Sequence, residues 1–431
     1  MLSPTKEPLK GSIKIPGDKS ISHRSIILAS LAKGTTKISN FLNGEDCLRT
    51  IEAFREMGVT IDIDQQEVEV QSLGVNELKE PLVPLNFGNS GTTARLMLGL
   101  LAGLPFFTTV YGDQYLSKRP MSRVVDPVQQ MNGQFYGRQQ NNLFPMGIVG
   151  SKLTGIHYEL PVKSAQVKSA ILLAGLLAEG KTTVVESTQT RNHTENMLRA
   201  FGADIQVHQN EITITNRKPL TAQQIIVPGD ISSAAFFIVA GLIVPGSSIT
   251  LEKVGLNETR TGLLDVIDQM GATYSINHIH TVAGEKYGDI TVEYSQLHGI
   301  EIKGDMIPRL IDEIPIIALL ATQAKGETVI SDAGELRVKE TDRIAAVEDV
   351  LTSLGATLQT FDDGMVIKGE QDLVGGSIKS YHDHRIAMMG SIASLITKNG
   401  VEIDSTDSIQ ISYPNFFEHL NQVKGEESTE S

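Results

Sequence analysis

A segment of about 70 residues recurs six times along the chain, and this repeat limits the possible folds more than any other feature. Each copy begins with a polar stretch, continues into an apolar helix and passes through a glycine turn into a short strand. The turn glycines lie at intervals of 69, 77, 66, 80 and 74 residues: Gly34, Gly103, Gly180, Gly246, Gly326 and Gly400. Six copies indicate that one supersecondary unit is repeated.

A second, amphipathic helix follows in most copies and ends on a shared turn. The turns are MGVTI at Met57, FGADI at Phe201, MGATY at Met270 and LGATL at Leu354, with a looser MNGQF at Met131. The glycine of each turn suits the left-handed residue that often ends a helix. Because alternating residues follow it, a pair of strands is predicted there. Each unit is therefore predicted to be β-α-β-α-β-β.

The first helix of each unit is apolar on nearly every face, so it must be buried on nearly all sides. Three units can enclose three such helices and cover them with sheets. This predicts an α/β fold of two pseudo-symmetric domains, each of three β-α-β-α-β-β units around buried helices, with the chain crossing near residue 227. The predicted domains are residues 15–227, and residues 1–14 together with 228–424. The acidic tail, 425–431, is predicted to be disordered.

Composition excludes several classes of protein. The net charge of −14 argues against a nucleic-acid surface, which needs a broad basic face. No apolar run approaches the roughly 18 residues of a membrane span, and the first ten residues lack the apolar core of a signal peptide, so we expect a cytoplasmic protein that does not enter membranes. The single cysteine, Cys47, excludes an internal disulfide framework. The histidines lack metal-ligand spacing, and cofactor motifs are absent, so we expect neither metal nor cofactor.

The copies differ chemically at the start of the first helix, and such differences mark candidate functional positions. The free N–H groups and positive dipole at a helix start favour an anion, and added cations and hydroxyls strengthen that preference. These positions hold Lys19, Ser20 and Arg24; Asn89, Ser90 and Thr92; Ser164, Gln166 and Lys168; Asp312 and Glu313; and His384 and Arg385. If the two domains face each other through these ends, a cleft for small anions results. For the first helix start alone, solvated cations on a capped helix are the alternative.

Two further charged segments lie outside these helix starts. Residues 116–123 form a proline-containing loop with three cations before a predicted helix. In residues 335–343, Lys339 and Arg343 lie four residues apart, which predicts that they share a helical face. A solvated helix start is the alternative for this second segment.

Seven motifs resemble the EPSP synthase (3-phosphoshikimate 1-carboxyvinyltransferase) family, and they occur in the same order. They are GDKSISHR, GNSGTTAR, SKRPMSR, VKSAQVKSA, LIDEIP, RVKETDR and YHDHRIAM, within a match from about Gly11 to Phe417. The resemblance implies the enolpyruvyl transferase fold, which agrees with the repeat. It implies transfer of the enolpyruvyl group of phosphoenolpyruvate to the 5-hydroxyl of shikimate 3-phosphate, with release of phosphate. We expect a monomer whose partners are these two substrates.

The resemblance also implies roles for individual residues. Asp312, Glu340 and Lys19 are the implied catalytic residues, with Asp312 as base for the hydroxyl and Glu340 as carrier of the methylene proton. The assignment of each proton transfer stays open. The residues implied for shikimate 3-phosphate are Ser20, Arg24, Ser164, Asp312 and Lys339, with Arg191 as a further candidate for its phosphate. Lys19 is implied to lie between both substrates, and Gln166 to touch both. Those implied for phosphoenolpyruvate are Gly91, Arg119, Arg343 and Arg385, with His384 nearby.

The chain departs from the family pattern at one place. Many members carry a lysine just before the sequence that here reads Ser412-Tyr413-Pro414, whereas this chain has Ile411. One contact to phosphoenolpyruvate therefore lacks its usual residue. The stretches GDKS, SAQVK, RNHT and NETR are typical of the second class of the family, which is associated with weaker inhibition by glyphosate.

Two alternatives remain beside the main interpretation. UDP-N-acetylglucosamine enolpyruvyl transferase shares the fold and the phosphoenolpyruvate chemistry, but it usually has a reactive cysteine in the loop that here reads YLSKRPMSR. A non-catalytic anion-binding protein of the same fold would be expected to have lost the acid-base residues. Asp312, Glu340 and Lys19 are all retained, which favours an enzyme.

Overall fold

The computed structural model describes residues 1–215 and 218–425 and separates into two compact domains. The N-domain comprises Gly17–Val227 and Thr281–Glu285, and the C-domain comprises Met1–Pro16, Pro228–His280 and the chain from Lys286 onward. The first boundary lies two residues beyond the one expected from the repeat. The predicted disordered tail lies, from residue 426 onward, outside the described residues.

The helices alternate between the long apolar type and the amphipathic type that the repeat predicts. They are α1 (Lys19–Leu31), α2 (Glu45–Glu56), α3 (Gly91–Leu101), α4 (Ser122–Gln130), α5 (Arg138–Asn141), α6 (Ala165–Leu177), α7 (His193–Ala200), α8 (Ile231–Ile243), α9 (Gly262–Gln269), α10 (Ile307–Leu310), α11 (Ile314–Gln323), α12 (Arg343–Ser353), α13 (His384–Ala393) and α14 (Phe416–Lys424). Of these, α5 is a single turn whose last three residues have positive φ.

The strands are short and lie between the helices. They are β1 (Lys10–Lys14), β2 (Lys33–Ser39), β3 (Thr60–Asp64), β4 (Glu67–Leu73), β5 (Leu85–Asn86), β6 (Phe107–Tyr111), β7 (Gln134–Gly137), β8 (Leu143–Val149), β9 (His157–Glu159), β10 (Lys181–Val185), β11 (Asp204–His208), β12 (Glu211–Thr215), β13 (Gln224–Ile226), β14 (Ser248–Gly255), β15 (Thr273–Val282), β16 (Glu285–Glu293), β17 (Glu301–Ile302), β18 (Glu327–Ile330), β19 (Leu358–Phe361), β20 (Gly364–Lys368), β21 (Gly376–Ile378) and β22 (Val401–Ile403).

The four-stranded sheets of the N-domain share one pattern. In the first sheet, β13 lies parallel to β2, β2 pairs antiparallel with β4, and β4 pairs antiparallel with β3. The same order and directions recur in β5-β6-β8-β7 and in β9-β10-β12-β11. The strand pair predicted after each second helix is the antiparallel pair at the end of each sheet.

The C-domain repeats this pattern twice and then shortens it. The sheets β1-β14-β16-β15 and β17-β18-β20-β19 have four strands, and their first two strands are parallel. The sixth copy has the parallel pair β21-β22, followed by a 3-10 helix over Asp407–Ile411 and by α14. Within the described residues the sixth unit is therefore shorter than the complete unit predicted for it.

Two strands pair far from their sequence neighbours. Strand β1 immediately precedes α1 in the chain, but it pairs with β14 of the C-domain. Strand β13 precedes α8, but it pairs with β2 of the N-domain. Each of these strands ends just before the chain crosses from one domain to the other. Each is also the first strand of the first sheet of its own domain.

The buried helices form the centre of each domain. In the N-domain these are α1, α3 and α6, and in the C-domain α8, α11 and α13; α8 and α13 are buried over their whole length. Helices α3 and α6 approach closely at Gly99, where an added Cβ would lie 2.1 Å from the carbonyl oxygen of Ala170. Within the described residues, no helix has the length and apolarity needed to cross a membrane.

We expect Gly99→Ala to lower the free energy of unfolding by about 1 to 2 kcal/mol. Alanine favours a helix over glycine by about 1 kcal/mol, but the collision with backbone at Ala170 requires a shift of α3 or α6, and such overpacking costs about 1–3 kcal/mol or more. Urea unfolding of the whole chain measures the difference. Gly334→Ala is the control, since its Cβ would meet Asp363 at an ordinary 3.5 Å. Equal midpoints for both variants would contradict the prediction.

Candidate active site

Each of the buried N-domain helices begins with a side-chain cap. Asp18, Ser90 and Ser164 each accept a hydrogen bond from the backbone N–H three residues later. A helix start carries four N–H groups that have no partner inside the helix, and one cap satisfies only part of them. The remaining donors and the positive end of each helix favour an anion.

Hydrogen bonds tie these helix starts to one another. Arg24 Nη2 donates to Ser169 Oγ at 2.8 Å and links α1 to α6. Arg95 Nη1 donates to Gln166 Oε1 at 2.6 Å and links α3 to α6. Gln166 Nε2 in turn donates to Thr92 Oγ1 at 3.1 Å. The polar starts of α1, α3 and α6 therefore lie side by side, as the repeat predicts for one domain.

Arg24 is buried but remains a cation. Its Nε donates to Thr194 Oγ1 at 2.6 Å, and its Nη1 donates to the Ser20 carbonyl at 2.9 Å. Burial lowers the pKa of Arg24 to about 10, although the carboxylates of Glu195 and Asp18 act in the opposite direction. A pKa of about 10 leaves the guanidinium charged at neutral pH, so it is a fixed positive group beside the start of α1.

The start of α3 is flanked by two guanidinium groups. A Cβ added at Gly91 would lie 3.1 Å from Nη1 of Arg95 and 3.1 Å from Nη1 of Arg119. Arg119 Nη2 also donates to Asn89 Oδ1 at 2.8 Å. Because glycine lets a ligand approach the backbone and arginine binds carboxylate or phosphate in a bidentate manner, this is a strong anion position. Sequence reasoning did not select Arg95, although it lies one turn after Gly91 in the motif GTTAR.

Further cations lie near the same helix starts. Lys19 Nζ is 3.3 Å from Asp46 Oδ2, and the Lys19 side chain is largely buried. Arg191 lies between β10 and α7, where its charge contributes to the lowered pKa of Arg24. The N-domain residues predicted for substrates are thus brought together: Lys19, Ser20, Arg24, Gly91, Arg119, Ser164, Gln166 and Arg191. Lys168 differs from them, because its ammonium is buried against Glu186 and Glu195.

Asp312 of the C-domain lies between two cations. Its Oδ1 is 3.3 Å from Lys339 Nζ and 3.1 Å from Arg343 Nη1. Glu340 is exposed, and its Oε2 is 2.7 Å from Arg343 Nη2. Lys339 precedes α12, which begins at Arg343, so the prediction that Lys339 and Arg343 share a helical face is wrong. The cationic groups of Lys339 and Arg343 lie near each other because both contact the carboxylate of Asp312.

Arg343 is the centre of this C-domain cluster. Its Nε donates to Asp383 Oδ2 at 2.8 Å, and both side chains are almost fully buried. Burial alone would lower the pKa of Arg343, but the carboxylates of Asp383, Glu340 and Asp312 raise it above its usual value. Asp383 also caps α13 by accepting from the Arg385 N–H at 2.8 Å. It thereby fixes Arg343 relative to the helix start that carries His384 and Arg385.

Asp46 and Asp383 are polar residues of these clusters that sequence reasoning did not select. Asp383 lies within the motif YHDHRIAM, so its position directly before His384 was a usable signal. Asp46 lies at the start of α2 and shows no such signal, because its link to Lys19 spans 27 residues of sequence.

Comparison with known proteins identifies the family. A model of the EPSP synthase (3-phosphoshikimate 1-carboxyvinyltransferase) family matches residues 4–420. The chain belongs to this family. A 3-phosphoshikimate 1-carboxyvinyltransferase from Oceanobacillus iheyensis is 58% identical over 422 residues, which cover 98% of each chain. The family resemblance drawn from the seven motifs is confirmed.

Solved structures of enolpyruvyl transferases have the same fold as this chain. The structure of EPSP synthase from Acinetobacter baumannii has a TM-score of 0.89 and 43% identity, and the match covers 98% of this chain and 97% of that one. The enolpyruvyl transferase NikO from Streptomyces tendae has a TM-score of 0.79 at 17% identity, covers 98% of this chain and 96% of its own, and shows a shared fold only. The predicted enolpyruvyl transferase fold is confirmed.

His23 is a buried neutral group within the N-domain of this EPSP synthase family member. It has no exposed surface, and its Nδ1 lies 2.8 Å from Thr50 Oγ1. Burial, with smaller contributions from Lys19 and Arg24, lowers the pKa of His23 well below its usual value. In the unfolded chain the imidazole takes up a proton near pH 6.5. The unfolded state therefore binds more protons below that pH, and stability is lost as the pH falls.

We expect His23→Asn to reduce the loss of stability on acidification. The wild-type free energy of unfolding should fall below pH 6.5 with a contribution from His23 of up to ~1.4 kcal/mol per pH unit. The asparagine amide can still reach Thr50 but does not titrate. Urea unfolding at pH 7, 6 and 5 measures both proteins, with His157→Asn as control because His157 is exposed. An unchanged slope for His23→Asn would show that His23 is not the group responsible.

Proposed function

We propose that this chain transfers the enolpyruvyl group of phosphoenolpyruvate to the 5-hydroxyl of shikimate 3-phosphate and releases phosphate. The observation that carries the proposal is the Asp312 carboxylate between Lys339 and Arg343. An oriented carboxylate in a cationic cluster is suited to accept a proton from a hydroxyl of an anionic substrate. Membership of the EPSP synthase family supports the reaction and its substrates.

Shikimate 3-phosphate is proposed to bind through the starts of α1 and α6. Arg24, Lys19 and Arg191 supply positive charge for its phosphate and carboxylate. Ser20, Ser164 and Gln166 supply hydrogen-bonding groups, and Lys339 and Asp312 are assigned to the same substrate by family position. Several cations at short range suit a substrate with two anionic groups, because charge-assisted hydrogen bonds are stronger than neutral ones.

Phosphoenolpyruvate is proposed to bind at the start of α3. The open backbone at Gly91, with Arg119 on one side, suits a carboxylate or phosphate. Arg95 joins this group on geometry alone, since its guanidinium is as close to the Gly91 position as that of Arg119. Arg343, Arg385 and His384 are assigned to the same substrate by family position.

The proposed reaction is addition followed by elimination. The 5-oxygen of shikimate 3-phosphate attacks C2 of phosphoenolpyruvate while the methylene carbon gains a proton, which gives a tetrahedral intermediate. Phosphate then leaves C2, and the new methyl group loses a proton to restore the double bond. Asp312 accepts the hydroxyl proton, and Glu340 carries the methylene proton. Lys19 and the arginines stabilise the negative charge of the phosphate that leaves.

A direct assay separates this proposal from its alternatives. Phosphate release is measured with phosphoenolpyruvate and either shikimate 3-phosphate or UDP-N-acetylglucosamine. Release with shikimate 3-phosphate alone supports the proposal. Release with the nucleotide sugar would favour the related transferase, against which stands the lack of cysteine in the loop over residues 115–123. Release with neither acceptor would favour an anion-binding protein without activity.

Three further expectations belong to this proposal. The enzyme is proposed to work in the cytoplasm and as a monomer. Sedimentation of the purified protein measures the oligomeric state. Weak inhibition by glyphosate, expected from the second-class motifs, stays a prediction. Addition of glyphosate to the phosphate-release assay measures it.

We expect Asp312→Asn to lower kcat by about 10²- to 10⁴-fold, because a positioned acid or base typically contributes that much. The amide keeps the size of the side chain but cannot accept the hydroxyl proton. Steady-state kinetics measure the change. Asp372→Asn is the matched control, since Asp372 is exposed and pairs with the surface residue Lys398. A kcat within a few-fold of wild type for Asp312→Asn would exclude Asp312 as the base.

We expect Arg24→Gln to weaken the binding of shikimate 3-phosphate by about 10- to 150-fold, since hydrogen bonds to charged groups contribute about 1.5–3 kcal/mol. Calorimetric titration measures the dissociation constant. Arg49→Gln is the control, because Arg49 lies in the same domain and pairs with Glu45 and Glu52. Equal dissociation constants for wild type and Arg24→Gln would remove Arg24 from the binding site.

A further inference from the structure

Lys168 lies in a buried group of charges beside the start of α6. Its side chain has no exposed surface, and its Nζ lies 2.9 Å from Glu186 Oε2 and 2.7 Å from Glu195 Oε1. A third contact, at 3.3 Å, reaches the carbonyl oxygen of Thr190. An ammonium has three donors, and here all three are used within one chain segment. We call Lys168, Glu186, Thr190 and Glu195 the Lys168 cluster.

The Lys168 cluster joins the two ends of the segment from residue 186 to residue 195. Glu186 follows the end of β10, and Glu195 lies in the first turn of α7. Glu186 Oε1 also accepts a hydrogen bond from the Thr190 N–H at 3.1 Å and another from the Thr190 hydroxyl. One lysine therefore holds the beginning, the middle and the end of this segment.

The segment 186–195 carries groups that contact or flank the proposed phosphate site. Arg191 directly follows Thr190, whose carbonyl Lys168 binds. Thr194 directly precedes Glu195, and its Oγ1 lies 2.6 Å from Arg24 Nε and 2.6 Å from Ser169 Oγ. Ser169 follows Lys168 on α6 and also accepts from Arg24 Nη2. A shift of this segment would therefore move Arg191 and remove Thr194 as a hydrogen-bond partner of both Arg24 and Ser169.

The charges of the Lys168 cluster also act on Arg24. Two carboxylates against one ammonium leave a net charge of −1 in a buried environment. Of the neighbouring carboxylates, Glu195 has the largest effect on Arg24, where it favours the cationic form. The Lys168 cluster thus offsets part of the repulsion between Arg24 and Arg191 when no anion is bound.

We propose that Lys168 is a positioning residue for the substrate phosphate, which it serves by holding Arg24 and Arg191 through the segment 186–195. Lys168 itself does not touch the substrate, because its three donors are directed to Glu186, Glu195 and Thr190. The inference rests on the proposed function. It assigns Lys168 to affinity for shikimate 3-phosphate and not to the chemical step.

The test compares Lys168→Met with Lys168→Arg in the full chain. Methionine keeps the length and apolar stem of lysine but lacks the charge, whereas arginine keeps a cation between the two carboxylates. We expect Lys168→Met to raise KM for shikimate 3-phosphate at least tenfold, with kcat and KM for phosphoenolpyruvate within about threefold of wild type. Lys168→Arg should restore KM to within about threefold.

Two further variants separate positioning from a loss of stability. Ile171→Val removes one methyl group from the buried face of the same helix, so it should lower the thermal midpoint without changing either KM. Glu186→Gln keeps the pair between Lys168 and Glu195, so it should fold even if Lys168→Met does not. We expect it to raise KM for shikimate 3-phosphate by about three- to tenfold.

The outcomes separate this inference from the proposed function. If the wild type does not release phosphate with shikimate 3-phosphate, both are wrong. If the wild type is active and neither Lys168→Met nor Glu186→Gln changes KM for shikimate 3-phosphate, the inference alone is overturned. It is also overturned if kcat and both KM values change together with the thermal midpoint, since that pattern would describe a structural role only.

Discussion

The burial of apolar helices is the constraint on which the rest of this structure depends. Helices α1, α3 and α6 of the N-domain, like their counterparts in the C-domain, are covered on nearly all sides. A buried helix must still satisfy the N–H groups of its first turn, and capping side chains provide only part of the partners. Polar and charged side chains therefore collect at the helix starts, and every predicted substrate residue of the N-domain lies there or in an adjoining loop.

Local charge explains how a chain of net charge −14 can bind anions. In the N-domain the cations Lys19 and Arg24 lie among hydroxyls and a few carboxylates, so they are oriented but retain charge for a ligand. In the C-domain the balance is reversed, because Arg343 meets three carboxylates. That arrangement keeps one cation fixed and holds Asp312 in place. We propose that the N-domain cluster serves binding and that the C-domain cluster serves proton transfer as well as binding.

Much of the candidate site could be predicted from sequence because its residues lie in short motifs at repeated helix starts. The repeat located Lys19, Ser20, Arg24, Ser164 and Gln166 without knowledge of their neighbours. The repeat did not distinguish Lys168 from these residues. Its position four residues after Ser164 does not show whether the side chain meets solvent or a buried carboxylate. The four-residue spacing of Lys339 and Arg343 led to the wrong expectation that they share a helical face, because the helix start at Arg343 depends on the cap formed by Asp342.

The sequence by itself determined the period of the unit, the apolar helices and the polar residues at their starts, because these depend on local spacing and side-chain chemistry. The tertiary structure decided which elements pair. The parallel pairing of β1 with β14 joins residues more than 230 positions apart, and that of β13 with β2 joins residues more than 180 apart. The contact of Lys168 with Glu186 and Glu195 was decided in the same way. A periodic pattern shows which residues share a face. The partner of that face depends on how separate elements pack, which local spacing does not determine.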